Sequence, residues 1–209
     1  MLNHNVQSRL FTQSQSLMRK SPRERRLNAD FRGVVELRSQ SSILEFDAKG
    51  APPEKYRFKF NGNGVALDSN GEVVTQREHI VIVELGAAYP RLVPNLAWQT
   101  PIFHPNISVG GVVCLGGYGT HWVPSLTLSE LTIMLWDMIR FKNYDSESPY
   151  NREAAAWARE NRSNFPLDRR PIRDQIKNPE AFSAEIVEAG IEVVPKKKDE
   201  EPQDIIFLD

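Results

Sequence analysis

The chain has few of the residues that bind metals or form disulfides. Its 209 residues include one cysteine, Cys114, and four histidines. One cysteine cannot form a disulfide within the chain. This fits a reducing compartment, and we expect a cytoplasmic protein. Because thiol and imidazole ligands are so scarce, we predict no metal site and no cofactor.

A strong net charge and a long apolar run are missing as well. Lys and Arg number 26 against 27 Asp and Glu, so the formal net charge is −1 and provides no field that would attract nucleic acid or a membrane. No apolar run approaches the roughly 20 residues of a membrane-spanning helix. Residues 1–15 are polar and lack the apolar core of a signal peptide. We therefore expect neither nucleic acid nor a membrane as a partner.

Patterns of helix, then strands, then helices are present instead. Ser21, Pro22 and Glu24 predict a helix start with a capping box, and Thr127 with Glu130 predicts a second one. A third helix is expected from Asn151 to about residue 164. Strands are predicted over 43–46, 56–60, 80–85 and 95–99, separated by turns such as 61–64 and 70–71. This order predicts an α+β domain whose sheet is an antiparallel meander.

The most informative segment surrounds Cys114. Five glycines lie close to it, at positions 110, 111, 116, 117 and 119. Glycine has no Cβ, so another backbone can approach the sulfur closely. This environment suits a thiol that carries a bulky, flexible acyl group. The alternative is a small buried hydrophobic residue, which is the usual fate of a free cysteine.

Several motifs occur here in the order typical of one family. They are Arg25–Arg26–Leu27 with Asp30–Phe31, Tyr89–Pro90, His104–Pro105–Asn106, Val113–Cys114–Leu115, Trp122–Val123–Pro124 and Ser148–Pro149–Tyr150–Asn151. Over residues 21–170 the chain resembles the ubiquitin-conjugating enzyme family. The resemblance implies the UBC-like fold: an N-terminal helix, a four-stranded antiparallel meander sheet, an active-site loop and C-terminal helices. We expect a flexible segment at 1–20, the catalytic domain at 21–170, and an extension at 171–209 with a charged linker and an apolar terminal peptide.

The resemblance also implies a reaction. Cys114 would accept a ubiquitin-like protein from an activating enzyme as a thioester and pass it to an amine, usually a lysine, of a target protein. Asn106 would stabilise the oxyanion of this transfer or would hydrogen-bond a nearby loop and only shape the site; both hypotheses stay open. His104 would hold the turn or, alternatively, take part in catalysis.

The acceptor amine is expected near a second segment. Ser148 stands where relatives carry a serine or aspartate beside the thioester. Asp145 and Glu147 add negative potential that would favour a cationic amine, and the choice among these three residues stays open. Gly116 and Gly117 would leave room for the bound modifier. The alternative is an exposed acidic loop without a specific role.

Two partner surfaces are implied by the same resemblance. The basic face of the first helix at Arg23, Arg25 and Arg26 would dock the activating enzyme, or would simply be solvated. Trp122 and Pro124 begin a loop that helps to dock ligases in the family. Arg91 stands where the family has an aromatic residue, and a charge there does not suit a standard RING ligase. We therefore leave open whether a ligase is used.

The sequence also permits functions other than conjugation. A binding module of the same fold would recognise a ubiquitin-like protein without catalysis, although such modules typically lack the cysteine. A cysteine hydrolase would need His104 or His121 to activate Cys114. The terminal peptide Ile205–Leu208 would add a strand to a partner's sheet or pack back onto its own domain. Departures from the family pattern suggest a divergent member, and we hypothesise a bacterial conjugation operon with a role in antiviral defence.

Overall fold

Along the part of the chain that the structure describes, a helix is followed by a four-stranded sheet and two further helices. The computed structural model describes residues 20–115 and 122–175. The elements are α1 (Pro22–Ser39), β1 (Leu44–Gly50), β2 (Pro53–Leu67), β3 (Val73–Glu84), β4 (Asn95–Trp98), α2 (Leu128–Ile139), α3 (Arg152–Glu160) and a 3₁₀ turn (Arg162–Asn164). Within the described ranges, no helix combines the length and apolarity that crossing a membrane requires.

The four strands pair in chain order, each antiparallel to the next. Strand β2 alternates between apolar residues that face the helices and charged residues that face solvent, as a half-buried strand should. Its rings at Tyr56, Phe58 and Phe60 are fully buried, and the Phe60 ring stacks on Trp136 of α2 with centroids 6.3 Å apart. Each such side chain contributes roughly 1.5–3 kcal/mol on burial. The α+β architecture with a meander sheet is confirmed.

The predicted helix starts are confirmed by the hydrogen bonds of their caps. Ser21 and Glu24 form a reciprocal capping box at α1, and Thr127 and Glu130 form a second one at α2. The Asn151 side chain accepts a hydrogen bond from the third amide of α3. A side-chain cap of this kind stabilises a helix by about 1 kcal/mol. These caps fix where α2 and α3 begin on either side of the candidate site.

The predicted turn at residues 61–64 is wrong. Strand β2 continues through this segment, which forms a β-bulge opposite β3, and the chain reverses only at residues 68–72. Gly62 and Gly64 are needed for space and not for a turn. A Cβ on Gly62 would lie 2.3 Å from the Trp136 ring, and one on Gly64 would lie 2.6 Å from the His79 ring.

Residues 171–175 pack against α1 and the start of β1. Ile172 is buried in the main core, and Asp174 accepts hydrogen bonds from the amide and hydroxyl of Ser42. The Gln175 amide donates to the Gln40 carbonyl at 3.0 Å. The predicted N-terminal segment up to residue 19, the charged linker and the apolar peptide Ile205–Leu208 lie outside the described residues.

Candidate active site

A tight hairpin presents Cys114. The Cys114 amide donates to the Asn106 carbonyl at 2.8 Å, and the Trp98 amide of β4 donates to the Gly111 carbonyl at 2.8 Å. Gly111 has φ +81°, and a Cβ there would lie 2.3 Å from the Trp98 carbonyl oxygen, so this turn requires glycine. Cys114 is a free, partly exposed thiol. The hairpin thus holds Cys114 in a partly exposed position, beside the edge of the sheet.

His104 is fully buried beneath this hairpin. Its Nδ1 accepts the Asn106 amide at 3.1 Å, and its ring contacts Phe141 with centroids 4.8 Å apart. Burial lowers the pKa of His104 to about 3 against the smaller, opposing effect of the Met138 carbonyl. The imidazole is therefore neutral near pH 7. Because Nδ1 accepts a hydrogen bond, the single N–H hydrogen of the neutral imidazole resides on Nε2.

The Asn106 side chain joins the hairpin to the segment after α2. Its Nδ2 donates to the Asp145 carbonyl at 2.9 Å, and its Oδ1 accepts the Asp145 amide at 2.8 Å. Asn106 is only 3% exposed. A carboxamide paired in this way imitates the ladder of an antiparallel sheet. Both of its polar atoms are engaged with the loop.

The predicted acceptor residues lie together in the loop that Asn106 holds. One carboxylate oxygen of Asp145 accepts the amides of Glu147 at 2.7 Å and Ser148 at 3.3 Å. Arg159 of α3 donates to the Ser146 carbonyl at 2.9 Å. Glu147 and Ser148 are exposed. The Asp145 carboxylate therefore acts within the loop, while Glu147 and Ser148 face solvent.

A second connection runs from the middle residue of the His104–Asn106 motif. The Pro105 carbonyl accepts the amides of Tyr150 at 2.8 Å and Asn151 at 3.0 Å. The loop over residues 145–150 is thus tied to the motif at both of its ends. Gly116, Gly117 and His121, which the sequence also singled out, lie outside the described residues.

A cluster of aromatic rings supports the site from below, and the sequence did not predict it. Phe141 has φ +58°, in the left-handed region that costs an L-residue about 1–2 kcal/mol. Its ring stacks on Phe165 at 4.7 Å and contacts Tyr144 at 5.5 Å and Trp157 at 5.6 Å between centroids. Packing on all sides holds this backbone conformation at the start of the loop. A contact of this kind leaves no local sequence signal.

Two of the three arginines predicted to bind a partner are engaged inside the domain. Arg26 pairs with the buried carboxylate of Asp30 at 2.7 Å and donates to the Pro124 carbonyl and the Tyr89 hydroxyl. Arg23 pairs with a glutamate of β2 and donates to two carbonyls that follow β3. Of the three, Arg25 is the most exposed to solvent.

The Asp30 carboxylate connects this network to the second helix. It accepts the Tyr89 hydroxyl at 2.7 Å and the amide of Leu128, the first residue of α2, at 3.0 Å. Burial raises the pKa of Tyr89, and the neighbouring Asp30 charge raises it further. The Tyr89 hydroxyl therefore stays protonated and serves as a donor. Arg26 is a clamp between α1 and the segment before α2.

The other predicted docking residues lie on two adjacent segments. The Trp122 indole donates to the Pro90 carbonyl at 2.7 Å, so the two segments are connected. Arg91 and Pro124 are exposed. No group of three or more His, Cys, Asp or Glu side chains among residues 20–115 and 122–175 is arranged to hold a metal.

Comparisons with known proteins agree with the motifs. The family model described as ubiquitin-conjugating enzyme matches residues 70–170. Among curated proteins, a probable NEDD8-conjugating enzyme Ubc12-like from Arabidopsis thaliana is 36% identical over 77 residues, which cover 37% of this chain and 40% of that protein. Ubiquitin-conjugating enzyme E2 16 from Schizosaccharomyces pombe is 35% identical over 77 residues, covering 36% of this chain and 47% of that protein. The chain thus spans less than half the length of these relatives.

Two solved structures are similar over more of the chain. Ubc12 from S. cerevisiae has a TM-score of 0.49 at 18% identity, with 90% of this chain and 91% of that chain covered. A structure titled as a novel ubiquitin-conjugating enzyme also has a TM-score of 0.49, at 19% identity, with 68% and 88% covered.

Proposed function

Residues 70–170 of this chain belong to the ubiquitin-conjugating enzyme family, and from this membership we propose that the protein transfers a ubiquitin-like modifier through a thioester on Cys114. The observation that carries the proposal is the hairpin itself. It holds a free, partly exposed cysteine whose backbone amide is bonded to Asn106, and the Asn106 side chain is in turn bonded to the neighbouring loop.

The proposed reaction has two acyl transfers. The Cys114 thiolate attacks the carbonyl carbon of the thioester between the modifier and the activating enzyme. A new carbon–sulfur bond forms, and the activating enzyme's cysteine leaves as a thiolate. A lysine ammonium first loses one proton to solvent, and its neutral amine nitrogen then attacks the carbonyl carbon on Cys114. The carbon–nitrogen bond forms, Cys114 leaves as a thiolate, and the nitrogen loses a proton to solvent.

The chain's own residues would support these steps by holding geometry. Asn106 and His104 fix the hairpin against the loop, and a buried neutral imidazole suits this role better than proton transfer. Glu147 and Ser148 lie exposed on the loop that Asn106 holds, and we assign them to the approach of the amine. A cationic amine is favoured near the Glu147 carboxylate because opposite charges attract.

The proposed partners follow from the family and from the relatives' names. An activating enzyme supplies the modifier, and a protein lysine receives it. The curated relatives are described as conjugating NEDD8 or ubiquitin, so the first candidate modifiers are of these two types. Arg25 is the arginine of α1 most available to an activating enzyme. A bacterial conjugation operon stays a prediction, to be tested by the genes that adjoin this one.

A charging assay tests the proposal. The protein is incubated with ATP, an activating enzyme and its modifier, with ubiquitin and NEDD8-type pairs in parallel, and run on non-reducing gels. We expect an adduct that is sensitive to thiol reagents and absent from Cys114→Ala. Added lysine should then discharge it to a lysine conjugate. If neither these pairs nor those encoded near the gene charge Cys114, the proposal is wrong.

The alternatives give different results in the same assay. A non-catalytic binding module would retain the modifier without a thiol-sensitive adduct. A cysteine hydrolase would release the modifier to water at a rate that does not depend on added lysine. The burial of His104 is unfavourable for the hydrolase, because the imidazole that activates a cysteine must reach the sulfur.

A further inference from the structure

Arg159 reaches from α3 to the middle of the loop beside the candidate site. Its Nη1 donates to the Ser146 carbonyl at 2.9 Å. Ser146 is 7% exposed, although Glu147 and Ser148 after it face solvent. The arginine thus bonds the one buried residue of a short exposed segment.

The other attachments of this loop lie on either side of Ser146. Asn106 holds the backbone of Asp145, and the Pro105 carbonyl holds the amides of Tyr150 and Asn151. Four residues remain between these attachments. Their other hydrogen bonds within the described chain join loop residues to each other, from Ser146 to Glu147 and from two amides to Asp145.

We propose that Arg159 is a positioning residue for the amine-transfer step, an inference that rests on the proposed function of Cys114. Its guanidinium fixes the Ser146 peptide, and this in turn fixes the direction in which the next two residues, Glu147 and Ser148, leave the loop. The hairpin that carries Cys114 is held by separate bonds to Asn106 and β4. Arg159 should therefore act on discharge and not on charging.

The size of the effect follows from what is removed. Without the guanidinium, the four-residue segment loses its one attachment to α3 in the described structure and samples more conformations. Misplacement of a positioning group by about 1 Å costs up to about 100-fold in rate, and partial disorder of a loop costs less. We expect Arg159→Ala to slow discharge to lysine by about five- to tenfold.

The experiment separates charging, discharge and loop order. Arg159→Ala and Arg159→Lys are compared with Arg162→Ala, which removes an exposed arginine three residues away. All should charge Cys114 like the unchanged protein. Arg159→Ala should discharge slowly to lysine while its thioester hydrolyses in water at the ordinary rate, and Arg159→Lys, which keeps a cationic donor, should recover part of the lysine rate.

Hydrogen exchange provides a readout that needs no partner. The amides of Glu147 and Ser148 should exchange faster in Arg159→Ala and at the ordinary rate in Arg162→Ala. Equal lysine discharge by Arg159→Ala and the unchanged protein, with normal charging, would overturn the inference and leave the proposed function intact. Failure of the unchanged protein to charge would overturn both.

Discussion

Replacing Asn106 by alanine tests whether this side chain acts through the loop. The change removes two hydrogen bonds, at 2.9 and 2.8 Å, to the backbone of Asp145. Each contributes about 1 kcal/mol net, so the free energy of unfolding should fall by about 2 kcal/mol, or by up to about 4 kcal/mol if the freed backbone groups stay dry. For a domain of this size, a loss of about 2 kcal/mol lowers the melting temperature by about 4–8 °C.

The assay is urea unfolding of Asn106→Ala beside Asn143→Ala. Asn143 is an exposed asparagine just before the same loop, and its replacement should change the free energy of unfolding by less than about 0.5 kcal/mol. If Asn106→Ala unfolds like the unchanged protein yet discharges its thioester slowly, Asn106 acts on the reacting carbonyl and the reasoning from the loop is refuted.

Three further predictions address the fold around the site. Arg26→Ala should lower the free energy of unfolding by about 3 kcal/mol because it leaves a buried carboxylate without its cation. Arg25→Ala should change this free energy by less than about 0.5 kcal/mol. Equal urea midpoints for the two variants would contradict the role of Arg26 as a clamp. Gly62→Ala should lower the free energy of unfolding by about 1–3 kcal/mol because the added methyl group overpacks the core. A Cβ on Gly86 meets no atom within 4 Å, so Gly86→Ala should leave the melting temperature unchanged. Similar melting temperatures for the two variants would be evidence against the bulge. Burial lowers the pKa of His104 to about 3, so as the pH falls the unfolded chain binds a proton before the folded chain does. The free energy of unfolding should therefore fall as the pH drops from about 6.5 towards 4. A His104→Gln variant whose free energy of unfolding depends on pH in the same way would argue against this burial.

The parts of the fold that the sequence predicted well depend on short-range interactions. The capping boxes at Ser21 and Thr127 join residues three positions apart, so both partners are visible in one short segment. The alternation of strand β2 is similarly local. The composition of residues 61–64, two glycines among asparagines, predicts a turn, whereas Gly62 is required by the close approach of a tryptophan from a distant helix.

The basic face of α1 shows the same limit for charged residues. Three arginines on one helix suggest a docking surface when only neighbouring positions are considered. In the structure, Arg26 makes hydrogen bonds to a residue 63 positions later and to two carbonyls 98 and 100 positions later. The Tyr89 hydroxyl and these two carbonyls cannot be assigned to Arg26 from the local sequence, whereas its carboxylate partner Asp30 lies only four positions away on the same helix.

The candidate site contains both short-range features, which the sequence predicts, and a long-range contact, which it does not. Each of its two segments carries a motif that the sequence made visible, the first at His104–Asn106 and the second at Ser148–Asn151. The two segments are connected by hydrogen bonds between the Asn106 side chain and the backbone of Asp145, 39 positions away. Any residue type at position 145 except proline offers the same amide and carbonyl, so no residue pattern could announce the contact. For this reason the sequence alone leaves the role of Asn106 open, whereas the structure shows its side chain bonded to the loop that would receive the amine.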